Sequence, residues 1–361
     1  MKHSAEYYAN PAFPRTRPGS RAPDRLWRVL DRIAPHVELW TGRLPGGQRG
    51  AAGSDGDIDV VVHEVHHPAT DVAALTLVAA DGGRLPQWSP GCHVDVLLPS
   101  GQRRQYSLCG DPEDRFRYRI AVRRIPDGTA STEVHTLPPG ARLRLHGPRN
   151  AFPFARFDRY VFLAGGIGIT PLLPMARAAA RLGAPFRFVY TGRHRDSMPF
   201  RAELPTSGSG SVEIRPDDEF GPPQPGQLLG TLRPGTAVYC CGPPPLVDAV
   251  RDTVPTDSGV ALFSERFSPP PVVDGAAFEV ELRRTGRVLT VPAERTVLDV
   301  VRDVRPDVAF SCRQGFCGTC RVPLLSGTAE HRDQPTGGAS RRAEFAVCVS
   351  RSTGQRLVLD L

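Results

Sequence analysis

Four of the eight cysteines form a spaced set near the end of the 361-residue chain. Cys312, Cys317 and Cys320 follow a Cys-x4-Cys-x2-Cys pattern within SCRQGFCGTC, and Cys348 comes after a further 27 residues. That spacing is typical of plant-type 2Fe–2S clusters, in which four thiolates bind two irons. The glycines of the loop would let its backbone approach the sulfurs closely. The spacing therefore predicts a 2Fe–2S site with these four cysteines as ligands.

A structural zinc site is the alternative for this loop. Zinc sites usually contain two paired Cys-x2-Cys or Cys/His knuckles, and the segment has one such pair, Cys317 and Cys320. The other cysteines, at 92, 109, 240 and 241, lie singly or beside apolar residues. Because the chain shows no secretion signal, we expect buried reduced thiols rather than a disulfide framework.

A glycine-rich turn follows the predicted strand YVFLA. It contains Gly165, Gly166 and Gly168 and continues through Thr170 and Pro171 into a predicted helix. Such a turn can bind a pyrophosphate, because glycines allow close backbone approach and a helix N-terminus attracts anions. Thr170 can cap the helix, and Pro171 fits its first turn. Alone, the turn also fits a tight strand-to-helix connection.

The motif CGPPPL supports the interpretation of the glycine turn as part of a ligand site. Cys241, Gly242 and Pro243 would lie at the carboxyl end of a parallel strand, where open α/β sheets bind ligands. The two motifs together predict a nicotinamide site. In TGRHRDSMPF, Arg193 and Arg195 could bind a 2′-phosphate, and no acidic residue directly ends the preceding strand. This favours NADPH over NADH, although solvated loop arginines are the alternative.

A third group of residues is suited to a flavin. Arg104, Tyr106 and Ser107 lie on a predicted strand: an arginine suits the flavin phosphate, a tyrosine can stack on the isoalloxazine ring, and a serine can hydrogen-bond to N5. The segment Gly128–Ser131 is predicted to begin a helix and to form a second phosphate site. Each element alone is also a common strand or turn sequence.

Three patterns of predicted secondary structure follow one another along the chain. Six short alternating strands from Ile58 predict a small antiparallel barrel. Alternating strands and helices from Tyr160 predict a parallel α/β sheet. A hairpin, a helix over 296–304, the cysteine loop and a last strand fit a β-grasp fold.

The predicted parts are an N-terminal extension with a short amphipathic helix and linker (1–56), a flavin-binding β-barrel (57–154), an NAD(P)-binding α/β domain (155–267), a linker (268–275) and a plant-type 2Fe–2S ferredoxin domain (276–361).

Composition limits the function classes. The net charge of +7 is carried by arginine, since Lys2 is the only lysine, and it is spread without a dense basic run. Nucleic-acid binding is therefore weakly supported, and an acidic protein partner fits better. No apolar run reaches about 18 residues, so no membrane-spanning helix is expected. The first residues lack the apolar core of a secretory signal. We expect a cytoplasmic monomer.

Taken in order, these motifs resemble those of the phthalate dioxygenase reductase family, which includes the vanillate demethylase reductases. The resemblance covers roughly residues 58–361 and rests on PGCHVDVLLP, RQYSLCGDP, GGIGITPLLPMARA, CGPPPLVDAV, SCRQGFCGTC, EHRD and CVSR. It implies the order flavin, nicotinamide, ferredoxin, and that order implies FMN. FAD stays open, because the family's usual Gly-Gly-Ser phosphate turn is Thr129-Ala130-Ser131 here.

The resemblance also implies roles for single residues. Cys241 would lie close to the hydride-bearing carbon, and Glu265 and Phe267 would form an acidic and aromatic pair near the flavin. Arg313 stands where glutamate is frequent, which would make the cluster rim more basic. The residues expected closest to the chemistry are Ser107, Cys241 and Glu265. The flavin contacts expected are Arg104, Tyr106, Ser107, Leu108, Val122, Ser131 and Phe267, and the nicotinamide contacts are Gly165, Gly166, Gly168, Thr170, Pro171, Arg193, Arg195, Cys241, Gly242 and Pro243.

The activity that the resemblance implies is NAD(P)H-dependent electron transfer. Hydride would pass to the flavin, and single electrons would leave through the cluster to a partner oxygenase: an aromatic-ring dioxygenase, a demethylase or a haem monooxygenase. Two other classes stay open. A zinc-stabilised flavin reductase would be yellow without iron–sulfur absorbance. A non-enzymatic redox sensor would show both spectra with negligible NAD(P)H turnover, but the intact nicotinamide signature disfavours it.

Overall fold

The computed structural model describes residues 57–206, 208–255, 258–267, 272–310, 313, 315, 318–333 and 343–361. They form two compact units, 57–267 and 272–361. The predicted extension 1–56, with its amphipathic helix, lies outside them, and the five-part division of the chain stays a prediction. Among the helices of these ranges, none has the length and apolar character that a membrane crossing requires.

The first unit begins with a six-stranded antiparallel sheet. Its strands are β1 (Asp57–Ala69), β2 (Val72–Ala79), β3 (Cys92–Leu97), β4 (Arg103–Ser107), β5 (Tyr118–Arg123) and β6 (Arg142–Asn150). Alternation along the strands places Val60 and Val62 in one core with Leu75 and Leu77. The sheet order is β4-β3-β6-β1-β2-β5, and the edge strands β4 and β5 contact each other without forming a ladder. The predicted barrel is therefore present, with a seam between β4 and β5.

A short helix, α1 (Thr129–Thr136), packs on β2 and β5 of this barrel. Ala130 and Val134 enter the barrel core, and Gly128 is the N-cap residue. The helix start predicted at 128–131 is confirmed.

The second part of the first unit is a five-stranded parallel sheet. Its elements are β7 (Arg159–Gly165), α2 (Ile169–Arg181), β8 (Phe186–Gly192), β9 (Gly210–Pro216), α3 (Asp217–Phe220), α4 (Pro225–Leu229), β10 (Thr236–Cys241), α5 (Pro244–Thr253) and β11 (Ala261–Glu265). The central strands β7 and β10 are nearly continuous buried runs, as expected for a sheet covered on both faces. The order is β11-β10-β7-β8-β9, so the winding direction reverses between β7 and β10. Ligands bind at such a switch point, outside the carboxyl ends of the strands.

The second unit is a mixed sheet with one helix. Its elements are β12 (Phe278–Leu282), β13 (Arg287–Val291), α6 (Val297–Val304), β14 (Arg321–Ser326), β15 (Ala329–Glu330), β16 (Glu344–Ala346), β17 (Arg351–Ser352) and β18 (Arg356–Leu359). The main sheet has the order β13-β12-β18-β14-β16, with β12 and β18 parallel. The Thr296 hydroxyl caps α6 by accepting the Asp299 N–H at 3.1 Å. The predicted hairpin, helix and β-grasp arrangement are confirmed, and so is the fold class as a whole.

Candidate functional site

Two glycine-containing turns meet at the switch point of the parallel sheet. A Cβ on Gly168 would lie 2.2 Å from the Cys241 carbonyl oxygen, and one on Gly165 would lie 2.6 Å from Cδ of Pro243. Neither approach leaves room for a side chain. The structure thus brings the two predicted nicotinamide motifs together, and it explains two of the glycines by contact between the turns rather than by contact with a ligand.

The start of α2 differs from the prediction for Thr170. A 3₁₀ turn over Gly166–Gly168 runs directly into the helix, so Gly168 is the N-cap residue and makes no side-chain capping bond. Thr170 lies inside the first turn, where its hydroxyl donates to the Ile167 carbonyl at 3.0 Å. The predicted cap by Thr170 is therefore wrong. The N–H groups at this helix start have no side-chain cap, as an anion site at a helix N-terminus requires.

Cys241 and Glu265 lie side by side at the carboxyl ends of β10 and β11, where they are register partners. Cys241 is fully buried, and burial raises the pKa of its thiol well above the ordinary range. Burial also raises the pKa of Glu265 to about 8, and within the described ranges its Oε2 is buried without a hydrogen-bond partner. A buried, unpaired polar atom in a native fold calls for a missing partner. Glu265 thus fits a site that a bound ligand completes.

Phe267 follows two residues after Glu265, at the end of the first unit. Its side chain is 48% exposed. An exposed aromatic ring next to a ligand site is available for stacking on a planar group. Its predicted contact with the flavin stays a prediction.

The loop after β8 carries the two arginines that favoured NADPH. Arg195 donates from Nε and Nη2 to the Glu219 carboxylate at 2.7 and 2.5 Å. His194 Nδ1 lies 3.0 Å from Asp218 Oδ2. Arg193 is exposed. These acids come from α3, which follows the third strand of the sheet, and not from the end of the second strand, where the sequence shows no acidic residue. Arg195 is already paired with a carboxylate, which weakens the case for a 2′-phosphate.

Sequence reasoning missed Arg123, the last residue of β5. Its Nη2 donates to the Ser197 carbonyl at 2.5 Å, and a Cβ on Gly166 would lie 3.7 Å from the same atom. A barrel arginine therefore lies beside the glycine turn of the parallel sheet. The available signal was the Arg-Arg pair at the end of the last strand before the 128–131 turn.

The flavin motif forms one edge of the barrel. Tyr106 pairs with Val94 and packs against the barrel core, whereas Arg104, which pairs with Val96, is exposed. Arg104 Nη2 donates to Gln102 Oε1 at 2.7 Å, and the Gln102 amide donates to the Thr129 hydroxyl at 3.1 Å. One glutamine thus joins the arginine to the start of α1. This grouping of a guanidinium with a helix N-terminus fits one phosphate group.

The other predicted flavin contacts lie along the same seam. Burial raises the pKa of Tyr106 to about 12, with Arg104 opposing the shift. Ser107, Leu108 and Val122 are buried at the edges formed by β4 and β5. The Ser131 hydroxyl donates to the Gly128 carbonyl at 2.9 Å and accepts the Ile125 N–H at 3.0 Å. Ser131 therefore shapes the turn itself, and its direct contact with a flavin stays a prediction.

Two of the four predicted cluster cysteines lie in the described part of the second unit. Cys320 and Cys348 are buried, with only 3% and 2% of each residue exposed. The Cys320 carbonyl accepts the N–H of Val347, which precedes Cys348, at 3.3 Å. Cys312 and Cys317 lie outside the described residues. A pair of buried thiols on neighbouring chain segments fits the thiolate ligands that an iron–sulfur cluster needs.

A buried carboxylate, Asp333 of the EHRD segment, fixes the surroundings of these cysteines. Arg321 Nη2 donates to Asp333 Oδ2 at 2.6 Å, and the Ser350 hydroxyl donates to Oδ1 at 3.3 Å. Gly315 packs against the same segment, since a Cβ there would lie 3.0 Å from Cα of Asp333. Asp333 thus links the strand after Cys320, the cysteine loop and the segment after Cys348. Sequence reasoning quoted this segment as a motif without giving the aspartate a role.

The family described as "2Fe-2S iron-sulfur cluster binding domain" matches residues 280–353. Phthalate dioxygenase reductase of Burkholderia cepacia is 35% identical over 318 residues, which cover 85% of this chain and 98% of that protein. Vanillate O-demethylase oxidoreductase of Pseudomonas sp. strain HR199 is 37% identical over 318 residues, which cover 84% of this chain and 100% of that protein.

A solved structure agrees with these relatives. It is titled as phthalate dioxygenase reductase, a modular structure for electron transfer from pyridine nucleotides to [2Fe-2S], and it matches with a TM-score of 0.63 at 35% identity. The match covers 85% of this chain and 98% of that one. The chain belongs to the family of phthalate dioxygenase reductase and vanillate O-demethylase oxidoreductase.

Proposed function

We propose that this protein is the reductase component of an oxygenase system, which oxidises a nicotinamide cofactor and delivers single electrons through a 2Fe–2S cluster. The observation that carries the proposal is the pair formed by Cys241 and Glu265 at the carboxyl ends of β10 and β11, in which Oε2 of Glu265 has no hydrogen-bond partner among the described residues. The relatives confirm the predicted class of oxidoreductase. The chemistry that the bound groups supply is hydride transfer from nicotinamide to flavin, followed by single-electron transfer to the cluster.

The residues at the switch point hold and orient the nicotinamide. The N–H groups at the start of α2 and the Arg123 guanidinium bind the pyrophosphate, because both present positive charge at the glycine turn. The Glu265 carboxyl, whose pKa is raised to about 8 by burial, is largely protonated at neutral pH and can donate a hydrogen bond to the carboxamide. Cys241 lines the wall beside it as a neutral thiol. These groups position the ring and exclude water.

The flavin is FMN in this proposal. Arg104 and the start of α1 are joined through Gln102 into one anion site, which suits a single terminal phosphate. Tyr106 offers its ring to the isoalloxazine, and Ser107 its hydroxyl to N5, as the family motif implies. FAD is the alternative, and flavin analysis by chromatography after heat release separates the two.

NADH is the electron donor that the loop after β8 favours. A 2′-phosphate would have to displace the Glu219 carboxylate from Arg195 and approach Asp218 as a second negative charge. A ribose 2′-hydroxyl can instead donate to a carboxylate. The proposal is thus NADH over NADPH, against the preference that the two arginines gave at the level of sequence.

The acceptor is a one-electron site of an oxygenase partner with an acidic docking surface, which suits the positive net charge of this chain. The cytoplasm is the proposed compartment. Cys92, Cys109, Cys240 and Cys241 are buried thiols outside any disulfide, as expected where thiols are kept reduced.

The test separates the two halves of the electron path. The holoprotein with Cys348→Ser should keep flavin reduction by NADH, followed at the flavin absorbance, and lose cytochrome c reduction. Cys240→Ser is the matched control, because Cys240 is also fully buried but lies on β10. It should keep both activities. If Cys348→Ser reduced cytochrome c at the wild-type rate, the route through the cluster would be wrong.

A further inference from the structure

The loop between β8 and β9 joins the parallel sheet to the barrel at three points. The Thr70 N–H donates to the Asp196 carbonyl at 2.8 Å. Arg123 of β5 donates to the Ser197 carbonyl at 2.5 Å, and Arg119 of the same strand reaches Glu203. The segment 196–203 is therefore an interface between the two sheets of the first unit, directly after the loop assigned to the dinucleotide.

Glu203 is the centre of the third contact. Arg119 donates from Nη1 and Nη2 to the two carboxylate oxygens at 3.0 and 2.8 Å. Arg177 of α2 donates to Oε2 at 2.6 Å. One carboxylate is thus held between a barrel strand and a helix of the parallel sheet. Burial opposes its ionisation, but the two guanidinium groups outweigh burial and lower the pKa of Glu203, so it stays charged at neutral pH.

The backbone before Glu203 takes an unusual conformation to make this contact. Phe200 has a φ of +59°, a left-handed conformation that a phenylalanine rarely adopts. Its buried ring lies under the Arg119 guanidinium, at 4.6 Å from the ring centroid. Strained residues persist where the surroundings fix them, and they cluster at functional sites. Here the strained residue is the one whose ring contacts the Arg119 guanidinium.

Arg119 also connects to the end of the flavin strand. Its carbonyl accepts the Cys109 N–H at 2.8 Å, and its Nη2 donates to the Cys109 carbonyl at 2.8 Å. Cys109 follows Ser107 and Leu108 at the end of the predicted flavin motif. A continuous chain of contacts therefore runs from the flavin strand through Arg119 and Glu203 to α2, which begins at the glycine turn.

We propose that Glu203 is a positioning residue for hydride transfer, because it holds Arg119 and Arg177 together and so fixes the barrel against the parallel sheet. This inference rests on the proposed function. Rates of hydride transfer depend steeply on the placement of the two reacting groups, so a loosened contact should slow the transfer more than it weakens nucleotide binding. The expected signature is a fall in the limiting rate with little change in the dissociation constant.

The test is stopped-flow reduction of the flavin in the holoprotein at increasing NADH. For Glu203→Gln we expect the limiting rate to fall about tenfold, with the dissociation constant of NADH changed by less than about twofold. The charge-transfer absorbance between nicotinamide and flavin should weaken in the same variant. Glu203→Asp keeps the charge and should recover part of the rate.

The matched control is Glu213→Gln. Glu213 is also held by two arginines, Arg187 and Arg215, at 2.7 and 2.9 Å, and its side chain is 37% exposed against 34% for Glu203. Its partners all lie on β8 and β9, so it does not join the two sheets. Equal losses of melting temperature in both variants, with flavin reduction unchanged in Glu203→Gln, would overturn the inference. If wild-type holoprotein were not reduced by NADH or NADPH at all, the proposed function would fail instead.

Discussion

Two carboxylates, that of the half-buried Glu265 at the edge of the parallel sheet and that of the buried Asp333 beside the cysteine loop, have opposite surroundings. Asp333 is bound by Arg321 and Ser350 through both of its oxygens. Glu265 has a buried oxygen without a partner among the described residues, and its pKa is raised to about 8 by burial. One carboxylate is satisfied by the protein, and the other is left in need of a partner.

The difference between the two carboxylates matches the kind of group that we expect each region to bind. An iron–sulfur cluster stays with its protein, so the segments around it benefit from a framework that is complete in itself. A nicotinamide enters and leaves in every turnover, so a polar group intended for it is left unpaired between turnovers. Unpaired buried groups thus indicate the exchangeable site, and satisfied ones indicate the permanent site.

The largest effect is expected from removing the charge at Asp333. Asp333→Asn leaves the Arg321 guanidinium, 15% exposed, without its buried partner, which should cost about 3 kcal/mol or more. The second unit should melt earlier and lose iron, as measured by circular dichroism and metal analysis. Glu344→Gln is the control, since Glu344 contacts the same arginine at 3.5 Å but is half-exposed, and the expected cost is below about 1 kcal/mol. Similar losses in both variants would contradict a framework role for Asp333.

The second prediction concerns pH and the unpaired carboxyl. Burial raises the pKa of Glu265 from its ordinary 4.5 to about 8 in the folded protein. The folded state therefore binds this proton more tightly than the unfolded state does. The resulting contribution to the free energy of unfolding is fully present below about pH 4.5 and is lost as the pH rises through 8. Between pH 5 and pH 9, the melting temperature of the apoprotein should fall by about 5 °C more in the wild type than in Glu265→Gln. In Glu213→Gln the difference from wild type should stay constant over this range, because arginines lower the pKa of Glu213. Parallel curves for wild type and Glu265→Gln would show that the carboxyl is not in an apolar site.

Much of this architecture could be predicted from sequence, because it depends on local patterns. Period-two alternation gave the six barrel strands, and continuous apolar runs with helical spacing between them gave the parallel sheet. The helix predicted over 296–304 is present as Val297–Val304, with Thr296 as its N-cap residue. The cluster spacing indicated the ferredoxin domain, which the family match over residues 280–353 confirms.

The features that escaped prediction depend on contacts between distant segments. Glu219 meets Arg195 only because β9 lies beside β8, and Arg123 meets the glycine turn only because the barrel lies against the parallel sheet. Glu203 reaches Arg119 across 84 positions of sequence. No local pattern encodes such pairs. The wrong assignment of Thr170 has a local cause, since the 3₁₀ turn before α2 moves the helix start by two residues.

The third prediction tests whether the acidic groups near Arg195 select the nucleotide. Glu219→Gln should free the Arg195 guanidinium from its two bonds and raise kcat/KM for NADPH relative to NADH about tenfold. The effect should appear in KM, because the phosphate is remote from the reacting atoms. In Arg195→Gln/Glu219→Gln the gain should vanish. An unchanged NADPH to NADH ratio in the single variant would place the adenosine ribose elsewhere.

The smallest effect is expected at two helix starts, one with a side-chain cap and one without. In the second unit, Thr296 caps α6, so Thr296→Ala should lower the stability of that unit by about 1 kcal/mol in urea unfolding followed by circular dichroism. In the first unit, Thr170 bonds to the carbonyl of Ile167 and leaves the start of α2 uncapped. Thr170→Ala should therefore cost less, because no capping bond is lost, and added inorganic pyrophosphate should still stabilise the first unit. A larger loss for Thr170→Ala than for Thr296→Ala would mean that the start of α2 depends on its threonine and is not open for an anion.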